Sequence, residues 1–175
     1  MWAKLPKRLW KKGLLRLTLL HQGKVRDTYA LPGFPELLLQ KVTDRLSIFD
    51  FVLNTLVEYK AEVLVAQTVF MSRLFDKHGI KHHIVAYGAA IDQYLPEELR
   101  GNPELHKTAL IIKKIEMDPV EWIIRNVLTG SAWADYKETG KIFGQDAPEG
   151  LINGSLLPEP YCTPTTKAES GHDEP

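Results

Sequence analysis

Residues 118–136 constrain the fold most strongly, because signals for a strand, a turn and a helix follow one another there. The apolar run 120–127 predicts a strand that carries Arg125 to a Thr-Gly-Ser turn. Ser131 stands at the expected N-cap of the following helix, and Gly130 would let the backbone approach a ligand closely. A helix N-terminus beside an arginine suits a phosphate group. The segment therefore predicts an anion-binding site.

A structural role for Arg125 is the alternative interpretation. An arginine inside an apolar strand is rarely buried without a partner. Glu121 precedes it on the same face of the predicted strand and would supply the carboxylate. The residues alone leave the ion pair and the anion site open, and the adjoining helix start favours the anion site.

Charge and composition narrow the class of protein. The 22 basic and 22 acidic residues cancel, so net charge gives no reason to expect a nucleic acid or an anionic membrane as partner. The single cysteine, Cys162, excludes an internal disulfide framework and suits a reduced compartment, which favours a cytoplasmic location. No apolar run approaches the roughly 18 residues that span a bilayer.

The first 26 residues are basic and contain no acidic residue. This composition is typical of targeting peptides and also of simple basic extensions. These residues contain no serine and no small-residue cleavage site, which favours a basic extension.

Hydrophobic periodicity predicts an α+β chain with a β-rich first part and a helix packed against it. The predicted strands span residues 14–20, 28–31, 36–42, 81–87, 109–115 and 120–127, and the predicted helices span 62–79 and 132–139. Residues 44–50 mix polar and apolar side chains, which predicts a loop or a short helical turn.

The motif GKVRDTY places a glycine and two cations in a strand-turn-strand pattern. Backbone amides at Gly23, with Lys24 and Arg26, would meet the phosphates of a nucleotide. A hairpin with exposed charges explains the same residues.

The motif TDRLSIFD also has two interpretations. Arg45 and Ser47 would bind a carboxylate or a small zwitterion. Alternatively, Asp44 caps a helical start and Arg45 pairs with a neighbouring acid.

The stretch 163–174 concentrates hydroxyls, a lysine, a histidine and acids. Asp173 and Glu174 are hard ligands that suit Mg²⁺, and Lys167 suits a phosphate or a carboxylate. A polar C-terminal tail explains the same composition.

Together these motifs resemble one family, the SAICAR synthetases (phosphoribosylaminoimidazole-succinocarboxamide synthases) of purine biosynthesis. The matching segments are GKVRDTY, TDRLSIFD, MDPVEWIIRNVLTGS and LPEPYCTPTTKAESGHDE, and their order and spacing agree over residues 21–174. The resemblance implies an ATP-dependent ligase that uses Mg²⁺. Such an enzyme joins L-aspartate to the carboxylate of a 5′-phosphoribosyl aminoimidazole through an acyl phosphate.

The resemblance also implies a fold and a set of residue roles. After a basic segment at 1–20, it implies a β-rich, kinase-like nucleotide-binding lobe at 21–117 and the first part of an ATP-grasp-like α/β substrate lobe at 118–175. Carried over by motif, Gly23, Lys24 and Arg26 would contact the ATP phosphates, and Arg125 and Ser131 would contact the ribose phosphate. Asp44, Arg45 and Ser47 would line the aspartate or imidazole side. Lys167 and Asp173 would lie near the reacting groups and the metal.

The chain departs from the family pattern in two respects. The family continues past GHDE into a DxKxEFG signature and an acidic segment that meets ATP and metal, and neither follows here. Lys41 also replaces a small residue before Thr43. We therefore expect the isolated chain to be a fragment with little or no ligase activity.

Two other functions stay open as hypotheses. One is a non-catalytic relative that binds a nucleotide or a phosphoribosyl ligand. The other is a phosphotransferase, although the catalytic-loop and DFG motifs of kinases are missing from the sequence. Assembly into a homo-oligomer is left open as well.

Overall fold

A computed structural model describes residues 17–48 and 51–166 of the chain. The chain divides into two compact units, Met1–Ile115 and Glu116–Pro175. Most of the basic segment predicted at the N-terminus lies outside the described residues, as do Lys167 and Asp173.

Within its described residues, the first unit contains short strands and two helices. Its strands are β1 (Leu19–Gln22), β2 (Arg26–Ala30), β3 (Leu37–Val42), β4 (Arg45–Ile48), β5 (Phe51–Leu56), β6 (Ile84–Tyr87) and β7 (Ala109–Lys113). Its helices are α1 (Lys60–Lys77) and α2 (Pro103–Thr108), and 3₁₀ turns span Gly88–Tyr94 and Glu97–Leu99. An antiparallel sheet has the order β1-β2-β3-β7-β6, and β4 and β5 form a separate hairpin. The predicted α+β class is confirmed.

Alternation along β3 gives this sheet two apolar faces. On one face Leu39 and Ile111 are fully buried against side chains of the 3₁₀ turns and α2. On the other, Val42 and Ile112 pack with Val65 of α1. Burying a side chain of this size contributes about 1.5–3 kcal/mol, so the two clusters fix the sheet between its helical neighbours.

The segment predicted as a loop or helical turn at 44–50 contains a strand. Strand β4 pairs antiparallel with β5, with Arg45 opposite Leu56 and Ile48 opposite Phe51. The prediction is wrong for Arg45–Ile48 because an adjacent apolar segment offers a pairing partner, and pairing outweighs local composition.

Lys41 is buried on β3, with 4% of its surface exposed. Its ammonium donates to the Thr108 hydroxyl at 2.8 Å and lies 3.4 Å from the Glu104 carboxylate. Burial lowers the pKa of Lys41 from the ordinary 10.5, and Glu104, Asp44 and Asp27 oppose that shift. The folded state therefore keeps Lys41 buried although removing its charge from water costs free energy.

Replacing Lys41 with methionine should remove a pH-dependent part of the stability. Between the lowered folded-state pKa and 10.5, the unfolded chain binds more protons at Lys41, so stability rises with pH in this window. The slope from one group is at most about 1.4 kcal/mol per pH unit. Urea unfolding of both proteins over a pH series should show the stability of the wild type increasing relative to that of Lys41→Met as pH approaches 10.5. A constant difference between the two would contradict this assignment.

Over residues 116–166, the second unit contains one helix and pairs of short strands. Its elements are β8 (Val120–Glu121), β9 (Ile124–Val127), α3 (Gly130–Thr139), β10 (Lys141–Ile142), β11 (Gln145–Asp146), β12 (Leu156–Cys162) and β13 (Thr165–Thr166). The antiparallel pairs are β8 with β13, β9 with β12, and β10 with β11. Its core consists of Leu128, Ala132, Tyr136, Ile142 and Tyr161. Within the described ranges, neither this unit nor the first has a helix long and apolar enough to cross a membrane.

The single strand predicted at 120–127 is divided in two. Strand β8 ends at Glu121 and β9 begins at Ile124, so each half pairs with a different partner strand. Trp122 and Ile124 are 63% and 60% exposed. An apolar run therefore indicated a strand correctly but did not indicate its break.

Candidate functional site

The guanidinium of Arg125, on β9, is held from two directions. Its Nε donates to the Thr163 hydroxyl at 2.9 Å, and a terminal nitrogen donates to the Ser131 hydroxyl at 3.0 Å. Thr163 is 1% exposed, whereas Arg125 is half-buried and Ser131 is exposed. Because hydroxyl groups are neutral, these two partners orient the positive charge of Arg125 without cancelling it.

The alternative ion pair between Glu121 and Arg125 does not form. Among residues 17–48 and 51–166, the side-chain hydrogen bonds of Arg125 go to Thr163 and Ser131. The break between β8 and β9 removes the continuous strand face on which the pair depended. The geometry therefore favours the anion-site interpretation of this arginine.

The beginning of α3 differs from the predicted one. The helix spans Gly130–Thr139, with Thr129 at the N-cap and no side-chain cap hydrogen bond. The N-cap role predicted for Ser131 is therefore wrong, and its hydroxyl accepts a hydrogen bond from Arg125 instead. Gly130 has a φ of 59°, and a Cβ added there would meet nothing within 4 Å. Glycine is needed for the backbone conformation, not for close packing.

Phe143 contributes an aromatic ring beside Arg125 that sequence reasoning missed. The Arg125 Cζ atom lies 5.9 Å from the ring centroid, within cation–π range. Phe143 and Gly144 connect β10 to β11 with φ values of 47° and 77°, as a type I′ turn requires. The Phe143 N–H donates to the Asp135 carboxylate at 2.6 Å, which holds the turn in place.

The GKVRDTY motif forms the turn between β1 and β2, so its predicted strand-turn-strand setting is confirmed. The Gly23 N–H donates to the Arg26 carbonyl at 2.8 Å. A Cβ on Gly23 would lie 3.1 Å from that same oxygen, which explains why a glycine stands there. Lys24 and Arg26 are both exposed at this turn. The turn therefore presents two cations beside a glycine backbone.

Arg45 holds this turn from the neighbouring segment. It donates to both carboxylate oxygens of Asp27, at 2.6 and 3.2 Å. It also donates to the carbonyls of Gly23 at 2.9 Å and Lys24 at 3.1 Å. The acid that pairs with Arg45 is thus Asp27, which is 8% exposed.

The carboxylate of Asp44 contacts α1. Its Oδ1 accepts from the Ala61 N–H at 2.9 Å, in the first turn of that helix. The N-cap role predicted for Asp44 is therefore wrong: the residues that follow it form strand β4, and the N-cap of α1 is Tyr59. Ser47, the third candidate of this motif, is half-buried on β4.

Comparison with known proteins gives one consistent result. The chain matches the family model for SAICAR synthetase over residues 19–175. A phosphoribosylaminoimidazole-succinocarboxamide synthase of Thermodesulfovibrio yellowstonii is 43% identical over 158 residues, covering 89% of this chain and 51% of that protein. The enzyme of the same name from Schizosaccharomyces pombe is 36% identical over 152 residues, covering 87% and 50%. The chain thus spans about half the length of the curated relatives it matches.

A solved structure shows the same likeness in three dimensions. The SAICAR synthase of Saccharomyces cerevisiae, determined in complex with SAICAR, aligns with a TM-score of 0.77 at 29% identity. The alignment covers 99% of this chain and 55% of the yeast protein. The motif geometry, the family match and the shared fold agree, and the chain belongs to the SAICAR synthetase family.

Proposed function

We propose that this chain provides part of an ATP-dependent ligase of purine biosynthesis. The reaction joins L-aspartate to 5-amino-1-(5-phosphoribosyl)imidazole-4-carboxylate and yields SAICAR. The observation that carries the proposal is the oriented, uncancelled charge of Arg125 beside Ser131, within the most specific family motif. A cytoplasmic setting, supported by the single cysteine Cys162, belongs to the same proposal.

Arg125 and Ser131 would hold the 5′-phosphate of the imidazole substrate. Thr163 and Ser131 fix the direction of the guanidinium, so little side-chain entropy remains to be lost when the phosphate binds. The N-terminal turn of α3 adds backbone N–H groups and the positive end of a helix dipole. These features together favour a dianion over a neutral group.

Gly23, Lys24 and Arg26 would contact the phosphates of ATP. Two exposed cations at a glycine turn would neutralise phosphate charge. Asp44 and Arg45 are engaged in structural contacts, so a direct role in binding L-aspartate rests more on Ser47.

The chemistry accounts for the need to hold two anions together. A carboxylate is a poor electrophile, so the γ-phosphoryl group of ATP first converts it to an acyl phosphate. The aspartate amine then attacks the activated carbonyl and phosphate leaves. Cations near the transferring group stabilise the developing charge, which is the work we assign to Lys24 and Arg26.

Mg²⁺ would assist phosphoryl transfer when bound. Among residues 17–48 and 51–166, no three His, Cys, Asp or Glu side chains come together as a metal site. Lys167 and Asp173, proposed near the reacting groups, lie outside those ranges.

Calorimetric titration of the wild-type chain with the carboxylated ribotide and with its dephosphorylated nucleoside tests the phosphate site. We expect the ribotide to bind at least about 30-fold more tightly, because a charge-assisted phosphate contact contributes roughly 2–5 kcal/mol. Equal affinities would contradict the proposal. A parallel assay for SAICAR formation tests the expectation that this chain alone has little or no ligase activity, and normal turnover would contradict it.

A further inference from the structure

The guanidinium group of Arg45 contacts two successive peptide carbonyls of the β1–β2 turn. Arg45 makes four hydrogen bonds, two to the Asp27 carboxylate and one each to the carbonyls of Gly23 and Lys24. An arginine side chain carries five N–H donors, so nearly all of its capacity is used inside the protein. It therefore has little left with which to bind a substrate.

The neighbouring Thr43 holds the next peptide of the same turn. Its backbone N–H and its hydroxyl both donate to the Val25 carbonyl, at 2.9 and 2.8 Å. The carbonyls of Gly23, Lys24 and Val25 are thus all drawn toward the segment that contains Thr43 and Arg45.

The direction of these carbonyls fixes the direction of the amides. The peptide bonds of the turn are trans, and in a planar trans peptide the N–H points opposite to the C=O. The N–H groups of Lys24 and Val25 share their peptides with the two carbonyls that Arg45 holds. They therefore project away from Arg45, toward the other side of the turn. Successive N–H groups with a common direction form an anion-binding nest.

We infer that Arg45 is a positioning residue of the nucleotide site, which orients the Gly23–Val25 peptides so that their N–H groups face the phosphates of a nucleoside triphosphate. This inference rests on the proposed function of the turn. It moves Arg45 from the aspartate or imidazole side, where the family resemblance suggested it, to the support of the phosphate turn. Asp27 holds the guanidinium in place, because its buried carboxylate accepts two of the four bonds.

The variant Arg45→Lys tests the inference with charge conserved. Lysine retains a cation opposite Asp27 but lacks the planar fork that reaches two carbonyls at once. We expect the amide resonances of Lys24 and Val25 to shift without ligand, and the dissociation constant for ATP to rise about 10- to 100-fold. The affinity for the phosphoribosyl ligand should stay unchanged. Methylguanidinium added to Arg45→Ala should return the amide resonances toward their wild-type positions.

The matched control is Arg73→Lys, on α1, where the arginine donates to the Tyr87 hydroxyl at 3.0 Å. It should leave both the turn amides and ATP affinity unchanged. A folded Arg45→Lys protein with wild-type amide resonances would overturn the inference, as would unaltered ATP binding in that variant. If the wild-type chain binds no ATP, the nucleotide role of the turn fails. The amide comparison then still decides whether Arg45 orients it.

Discussion

Replacement of Arg125 by alanine is expected to weaken binding of the phosphoribosyl ligand by about 2–5 kcal/mol. The variant removes a cation that Thr163 and Ser131 already orient, so the phosphate loses both its charge partner and a prearranged hydrogen-bond donor. The loss should disappear when the dephosphorylated nucleoside is the ligand, because that molecule never makes the contact. Calorimetric titration of both ligands into both proteins measures the difference.

Lys137→Ala is the matched control for charge. Lys137 is an exposed cation on α3, in the same unit, so its removal lowers the net charge equally without touching the Arg125 contacts. We expect little change in affinity from this variant. If Arg125→Ala and Lys137→Ala weaken ribotide binding to the same extent, the site acts through general electrostatics and the specific role of Arg125 is wrong.

Replacement of Leu128 by alanine is expected to destabilise the second unit by about 2–5 kcal/mol. Leu128 is 0% exposed and packs with Ala132, Tyr136 and Ile142 in a small core that has little capacity to collapse around a cavity. Total stabilities of about 5–15 kcal/mol are usual for whole domains, so this loss is a large share. Native-state hydrogen exchange at the amides of α3 measures it directly.

Leu156→Ala provides the control for the same chemical change at an exposed site. Leu156 is 78% exposed on β12, in the same unit. We expect an effect within about 0.5 kcal/mol there, as for most surface substitutions. Similar exchange rates in the two variants would show that Leu128 does not hold the core of this unit.

Periodicity located helix α1 and the strands of the five-stranded sheet, because burial on one face leaves a pattern in the chain, but it missed β5, α2 and β10–β13. Helix α1 and strands β3 and β7 carry apolar side chains at the spacings that their packing requires. The break between β8 and β9 left no such pattern, since Trp122 and Ile124 are apolar and yet exposed. Strand β4 was missed for a related reason: its partner β5, not its own composition, makes it a strand.

The candidate site was predictable only where its residues are close in sequence. Arg125 and Ser131 lie six positions apart, and one local motif indicated both. Thr163 is separated from Arg125 by 38 positions, and its role as the residue that orients the guanidinium follows from the pairing of β9 with the segment around β12. The Asp44 contact with α1 likewise spans 17 positions. Long-range contacts of this kind depend on tertiary structure, which spacing within a motif does not encode.

Phe143 has a consequence for how this chain would respond to selection for thermal robustness. A non-glycine residue with a φ of 47° costs roughly 1–3 kcal/mol, and asparagine or glycine would recover much of that energy. Phe143 also packs against the core of the second unit, so such a replacement would relax the backbone but lose apolar packing and the ring beside Arg125. Backbone strain, core packing and the contact with Arg125 therefore coincide at one residue, and a substitution that relieves the strain removes the other two.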